Sequence, residues 1–436
     1  MPSPPRVPPG LQVHVVGIGA DGWSGLAQSL RSLVLSAPIL LGGPRHLALV
    51  PPCPGQRREP WPSPLRAGLP ALLASLDSGL ADGSADPSSG AAGDAASPQV
   101  PVVVLASGDP LVAGIGSTLI DLLGADRVRI HPGVSSLALA RATLGWPAES
   151  CAVVRVGAGS AAPVLRELAP GRRVLVLSAD ETTPDEVARL LREAGYGASA
   201  LHILGDLGSE QFTQIDTTAD AWADLPGTAP RLHVLGVTLS GPASGGPGAS
   251  WVAGLPDTAY EHDGQLTKRD LRASALARLA PTPGGHLWDV GAGAGSIGIE
   301  WMRAHRTCTA SAVEVDPRRA ARIVRNAAAL GVPGLQVITG AAPDALAGLP
   351  VPTAIFIGGG AQAPGVLDRC LAALPPGGRL VIHAVTVQTE RLLGELYAAH
   401  GGELTRIGVE VAAPIGSFTG WTPSRTVTQW AFTRGV

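Results

Sequence analysis

Short apolar runs recur along the chain, separated by segments whose apolar residues return every three or four positions. Before residue 240, runs at 12–16, 102–106, 127–131, 153–156, 173–178, 200–204 and 233–238 predict strands. Between them, 116–123, 136–144 and 184–194 have helical spacing. Such alternation predicts an α/β fold, here divided into two subdomains near 133–147. Beyond residue 257 the pattern restarts with a helix at 267–279, for which Thr267 is the expected N-cap. Strands are predicted at 286–290, 309–315, 336–339, 354–357 and 379–383, with helices at 296–302, 317–330 and 364–374. The last helix opens on Pro364, a residue suited to a first helical position. This second series predicts a doubly wound sheet with a glycine turn after its first strand, where such sheets bind ligands.

Three stretches lack the apolar content to pack: the proline-rich tail before Gly10, the Ala/Gly/Ser/Asp/Pro segment 81–99, and 240–250, which has linker composition. They divide the chain into a first domain at 11–240 with a flexible insertion at 81–99, a linker at 241–253, and a second domain at 254–436. A length of 436 residues suits two or three such units. A net charge of −3 without a basic run argues against a nucleic-acid groove. Cys53, Cys151, Cys308 and Cys370 form no CxxC pair, which suits a reduced cytoplasmic protein and gives no metal site. The apolar run 33–41 is broken by Pro38 and falls short of the ~20 residues that span a bilayer, so no membrane partner is expected.

Candidate chemistry gathers at two glycine loops. Gly17-Ile18-Gly19-Ala20-Asp21-Gly22 follows the first strand with GxGxxG spacing, but no acid ends the next apolar run at 35–41, so the dinucleotide reading lacks its ribose partner. The loop at Gly291-Ala292-Gly293-Ala294-Gly295 is followed one helix and strand later by Glu314, an acid placed to accept both hydroxyls of a ribose. Spacing alone leaves a nicotinamide and a methyl-donor nucleoside equally open.

Three ordered segments narrow the first half: the loop at Gly17, Ser107-Gly108-Asp109-Pro110, and Pro132-Gly133-Val134-Ser135-Ser136. With them, residues 11–240 resemble the tetrapyrrole (corrin and porphyrin) methyltransferase family, departing from it at Ala20-Asp21-Gly22, where many members carry Pro-Gly-Asp. In the second half, Asn326, Gly340-Ala341-Ala342-Pro343, Gly358-Gly359-Gly360 and Pro375-Pro376-Gly377-Gly378 follow the order seen in class I methyltransferases. The segment Leu266-Thr267-Lys268-Arg269-Asp270-Leu271-Arg272 resembles the LTKxxVR signature of the decarboxylating precorrin methyltransferase family.

These resemblances imply an N-terminal two-subdomain tetrapyrrole methylase fold followed by a C-terminal Rossmann-like class I methyltransferase domain. They imply S-adenosyl-L-methionine as the cofactor of both halves and a precorrin as substrate. Their combination implies methylation at C-5 by the first domain, and methylation at C-15 with loss of the ring C acetate carboxyl by the second, within cobalamin biosynthesis. The cofactor residues implied are Gly17, Gly19, Gly108, Asp109, Ser135 and Ser136 in the first half. In the second they are Thr267, Gly291, Ala292, Gly293, Ala294, Gly295, Glu314 and Ala342. A polycarboxylate substrate calls for cations. Arg269 and Arg272 are the substrate-binding candidates, and His262, Asp263 and Lys268 the candidate catalytic groups. A homo-oligomer is expected. Two rivals stay open: a nicotinamide-dependent oxidoreductase using the turn at Gly291, and a tetrapyrrole-binding protein with only one active half.

Overall fold

The computed structural model describes residues 11–78, 102–157, 160–225, 227–242 and 250–435. The tail before Gly10, the insertion at 81–99 and the middle of the expected linker lie outside them. The first half begins with β1 (Val13–Ile18), α1 (Gln28–Ser36), β2 (Ile39–Gly42), α2 (Pro44–Ala48), β3 (Arg57–Pro60) and α3 (Leu65–Ser78). It continues through β4 (Val102–Ser107), α4 (Ile115–Leu123), β5 (Val128–His131) and α5 (Ser136–Leu144). The five strands form a wholly parallel sheet in the order β3-β2-β4-β1-β5. β1 and β4 are predominantly apolar and almost wholly buried, interrupted only by His14 and Gly17 in β1 and by the exposed Ser107 at the end of β4, as suits a sheet covered on both sides. β3, whose sequence is Arg-Arg-Glu-Pro, was not predicted, because a charged edge strand lacks the apolar signature.

A second sheet follows, built from β6 (Cys151–Arg155), β7 (Arg173–Leu177), α6 (Thr183–Glu193), β8 (Ala200–Gly205), β9 (Thr213–Thr218) and β10 (His233–Thr238). Its order is β6-β7-β10-β8-β9, parallel only between β6 and β7. The division of this half therefore falls at α5, as expected.

The last half comprises α7 (Arg269–Leu279), β11 (His286–Val290), α8 (Ser296–Ala304), β12 (Thr309–Glu314), α9 (Pro317–Ala329), β13 (Gln336–Thr339), β14 (Ala354–Ile357), α10 (Val366–Ala373), β15 (Arg379–Ala384) and α11 (Val387–His400). β16 (Glu403–Ile407), β17 (Glu410–Ile415), β18 (Phe418–Pro423) and β19 (Val427–Thr433) complete it. Seven strands pair as β13-β12-β11-β14-β15-β19-β16, with β19 and β16 antiparallel to their neighbours. β17 and β18 form a separate hairpin with Phe418 and Trp421 exposed. Apolar clusters cover both faces of the large sheet. Two predicted helix starts shift. α7 is capped by Lys268 rather than Thr267, and Gly365, at φ +78°, takes the N-cap of α10, leaving Pro364 outside the helix.

Among the described residues no helix is long and apolar enough to cross a membrane. All four cysteines are unpaired.

Candidate active sites

β1 lies between β4 and β5, which sets the loops after these three strands side by side. Gly108 N–H donates to Ile18 O at 3.0 Å, and Gly133 N–H donates to Gly108 O at 3.0 Å. A Cβ on Gly17 would stand 1.8 Å from Gly108 O and 2.5 Å from Gly133 N. The three family-like segments are thus welded backbone to backbone, which only glycine at position 17 permits. Asp109 Oδ1 accepts from Leu111 N–H at 2.9 Å, so the carboxylate steadies its own turn, and Ser135 Oγ caps α5 by accepting from Ala138 N–H at 3.2 Å.

These loops form one wall of a cavity of about 600 Å³, to which Gly19, Gly108, Asp109, Ser135 and Ser136 contribute. The facing wall belongs to the second sheet and contains Arg155, Ser178, Asp180 and His233. His233 Nδ1–H donates to Pro230 O at 2.6 Å, which leaves Nε2 as an acceptor; that atom and Ser178 Oγ are sheltered and have no hydrogen-bond partner. Two orphaned polar atoms beside a glycine-built loop suit a ligand with its own hydrogen-bonding edge, such as a nucleobase. Arg45 also reaches this cavity, and its guanidinium donates to Ser107 Oγ at 3.0 Å. His46 Nε2 lies 2.8 Å from the same hydroxyl; burial, reinforced by Arg45, pulls its pKa down to about 4, so the ring is neutral at neutral pH. The sequence reading missed Arg45, Arg155, Ser178 and His233. The one available signal was Gly42-Gly43-Pro44 before Arg45, a strand end turning into a helix.

In the second half the glycine turn joins β11 to α8. Gly291, Gly293 and Gly295 have φ of 68°, 61° and 77°, the left-handed region that disfavours any side chain. Each glycine also admits a different neighbour. A Cβ would meet Gly359 O at 2.8 Å from Gly291, Gln265 O at 2.9 Å from Gly293, and Ile323 Cγ2 at 2.6 Å from Gly295. The buried Glu314 carboxylate at the end of β12 accepts from Gly293 N–H at 2.8 Å and Asp316 N–H at 3.1 Å. A carboxylate has about four lone-pair directions, so capacity for ribose hydroxyls remains. Gly340 N–H donates to Glu314 O at 3.0 Å, which carries the Ala342 loop alongside. Asn326 clips the turn to the segment before α7: its amide donates to Ala294 O and Glu261 O, both at 3.0 Å, and accepts from Glu261 N–H at 2.9 Å.

Beneath the turn, Asp289 is fully buried; one oxygen accepts from Gly298 N–H at 3.0 Å and the other has no partner. Burial, with Glu314 adding to it, pushes this carboxyl up to about 7.

The candidate catalytic and substrate groups separate. Arg272 is fully buried, paired with Glu300 at 2.5 Å and Asp257 at 3.3 Å, and it also donates to the carbonyls of Thr267 and Leu255. Its guanidinium is consumed inside the fold, which corrects its assignment as a substrate contact. Asp263 is ion-paired with Arg319 at 2.9 Å and Arg322 at 3.1 Å; hydrogen bonds from these residues and from Gln265 N–H hold it well below the usual carboxylate range. These ion pairs tie the segment before α7 to α9. His262 and Arg269 are exposed, and Lys268 is half-exposed with its ammonium 3.4 Å from Asp257. His383 is half-buried and bonded to Gln429 at 2.9 Å, and desolvation lowers its pKa to about 4. No cluster suited to a metal ion occurs among the described residues.

With this geometry established, comparison with known proteins is informative. The family described as Tetrapyrrole (Corrin/Porphyrin) Methylases matches residues 12–222, and the Precorrin methyltransferase domain matches 258–434. The chain is 42% identical over 421 residues to a Precorrin-6Y C(5,15)-methyltransferase [decarboxylating] of Sinorhizobium sp, covering 97% of this chain and 96% of the relative. Two Salmonella typhimurium proteins match in part. One is named Cobalt-precorrin-7 C(5)-methyltransferase, 30% identical over 45% of this chain and 85% of its own length. The other is named Cobalt-precorrin-6B C(15)-methyltransferase (decarboxylating), 33% identical over 27% of this chain and 60% of its own length. Likeness across nearly the whole of both chains, with one family match on each half that carries a glycine-built loop, makes this chain a member of the precorrin-6Y C(5,15)-methyltransferase (decarboxylating) family.

Proposed function

We propose that the chain catalyses two S-adenosylmethionine-dependent methylations of a precorrin, at C-5 and C-15, with decarboxylation of the ring C acetate, giving precorrin-8X in cobalamin biosynthesis. The carrying observation is that two glycine-built loops occur in one chain that is 42% identical to a relative named for these reactions. C-5 methylation is assigned to the first domain, 11–240, and C-15 methylation with decarboxylation to the second, 254–436. The existence of separate relatives named for each reaction supports this division.

When bound, S-adenosylmethionine supplies an electrophilic methyl group on a sulfonium sulfur, so the protein needs no covalent nucleophile. In the second half, the backbone of Gly291, Ala292, Gly293, Ala294 and Gly295 cradles the cofactor, Glu314 takes its ribose hydroxyls, and Thr267 and Ala342 flank it. In the first half, Gly17, Gly19, Gly108, Asp109, Ser135 and Ser136 hold it, and Ser178 Oγ with His233 Nε2 offers a hydroxyl and an acceptor to its base. Orienting the two reactants and excluding water account for most of the rate. The substrate nucleophile is an enamine-like meso carbon. Its methylation leaves an iminium-type electron sink, and the neighbouring acetate loses carbon dioxide into it. Arg45 and Arg155 meet substrate carboxylates in the first cavity, and Lys268 and Arg269 do so at the second site. His262 and Lys268 are the groups placed to handle protons there. We further take the enzyme to be cytoplasmic, in keeping with its unpaired cysteines, and homo-oligomeric, a state that sedimentation measures.

Incubation of the full chain with the precorrin and S-adenosylmethionine tests this reading: the product should gain two methyl groups and lose one carbon dioxide by mass. Equilibrium binding of NAD in preference to S-adenosylmethionine would overturn it.

A further inference from the structure

The two halves meet on surfaces that belong to neither site. On the first half the contact is the 3-10 turn Ala162–Glu167. Glu167 pairs with Arg172 at 2.6 Å, directly before β7, and Gly171 N–H donates to Leu239 O at 2.8 Å, directly after β10. The turn therefore sits where β7 begins. The cavity residues Leu177, Ser178 and Asp180 lie where β7 ends, and His233 lies opposite them at the start of the antiparallel β10.

On the second half the contact is made by Arg303, near the end of α8, and Gly331, just after α9. Both helices start at the ligand side, after Gly295 and Asp316, and run back toward the beginnings of the strands. Arg166 donates to Arg303 O at 2.9 Å, and a Cβ on Gly331 would fall 2.5 Å from Arg166 N. Residues expected to be free linker join in. Trp251 donates to Arg166 O at 3.2 Å beneath the Arg172 guanidinium, 4.5 Å from its ring, and Ser250 O accepts from Arg303 at 3.2 Å. β7 and β11 each have five residues, a rise of about 16 Å. Each site thus lies about one strand length from the junction.

From this placement we infer that the once-methylated tetrapyrrole leaves the chain between the two reactions and is captured afresh by the other site, because the junction formed by the described residues lies about one strand length from each site. The inference rests on the proposed activity.

The test uses two full-length variants, Glu314→Ala to silence the second half and Gly17→Ala to silence the first, with Asp109→Ala replacing the latter if it does not fold. An equimolar mixture should form the doubly methylated product within about twofold of the wild-type rate. Wild type should show free once-methylated tetrapyrrole and a lag that shortens as enzyme is added. Trp251→Ala, which alters only the junction, should leave the two-step flux unchanged. A mixture that stalls at one methyl group while wild type proceeds without a lag would overturn the inference, as would a Trp251→Ala chain that accumulates several-fold more of the intermediate than wild type. A wild-type chain that adds fewer than two methyl groups would instead refute the activity on which it rests.

Discussion

The first-half site is assembled from two sheets, whereas the second-half site is built at the end of one. In the first, three loops are welded into one wall, and the polar groups without partners stand on the other wall, far away in sequence. In the second, Gly291 to Asn326 contain the turn, its acid and its clip within one stretch of chain. A site of the first kind depends on how two sheets are set against each other. One of the second kind depends mainly on local backbone geometry.

This contrast is testable by substitution. The largest effect is expected for Glu314→Ala, which removes the acceptor of two backbone N–H groups: decarboxylation and C-15 methylation should fall at least about 100-fold with the far-ultraviolet circular dichroism unchanged. Full activity in that chain would show that the acid does not hold the ribose. Gly17→Ala should next reduce C-5 methylation about 100-fold by prising the three loops apart, while the product still loses carbon dioxide and gains one methyl group. Equal loss of both reactions would break the contrast, since the welded wall would then serve both sites. Arg272→Ala should lower stability by about 3–5 kcal/mol, as expected when a buried ion pair loses one partner. Thermal unfolding would register that loss, and a KM for the precorrin that rises without any change in stability would return Arg272 to the substrate.

The smallest effect concerns Asp289. Because its folded pKa is raised to about 7, its protonated form stabilises the fold below the ordinary carboxyl range, and this contribution is lost as pH rises toward 7. Wild type should therefore lose stability relative to Asp289→Asn between about pH 4 and 7, by up to about 4 kcal/mol at 1.36 kcal/mol per unit, and then level off. Parallel denaturant curves across that range would remove the buried acid from the account.

What could be read in the sequence follows the same division. β11, β13, β14 and α5 were predicted residue for residue, because apolar runs flanked by glycine or a capping serine specify their own ends. The glycine turn and Glu314 were legible because backbone chemistry fixes their spacing. Arg272 was misread because nothing near it announces Glu300, 28 positions away, as its partner. The ion pairs of Asp263 were illegible for the same reason, since Arg319 and Arg322 arrive from α9. His233 and Ser178 gave no signal because their significance arises only where the second sheet faces the loops of the first. β16 to β18 escaped because exposed strands whose apolar residues face outward lack the alternation of a half-buried sheet.

The anchoring of Trp251 against Arg166 and Arg172 bears on what joining two catalysts in one polypeptide achieves. A contact remote from both mouths does not shorten a diffusing molecule's path, whereas the single polypeptide fixes the ratio of the two catalysts at one to one, whatever the expression level. The benefit is that of a fixed dose: neither catalyst can outnumber the other, and the intermediate always meets as many consumers as producers.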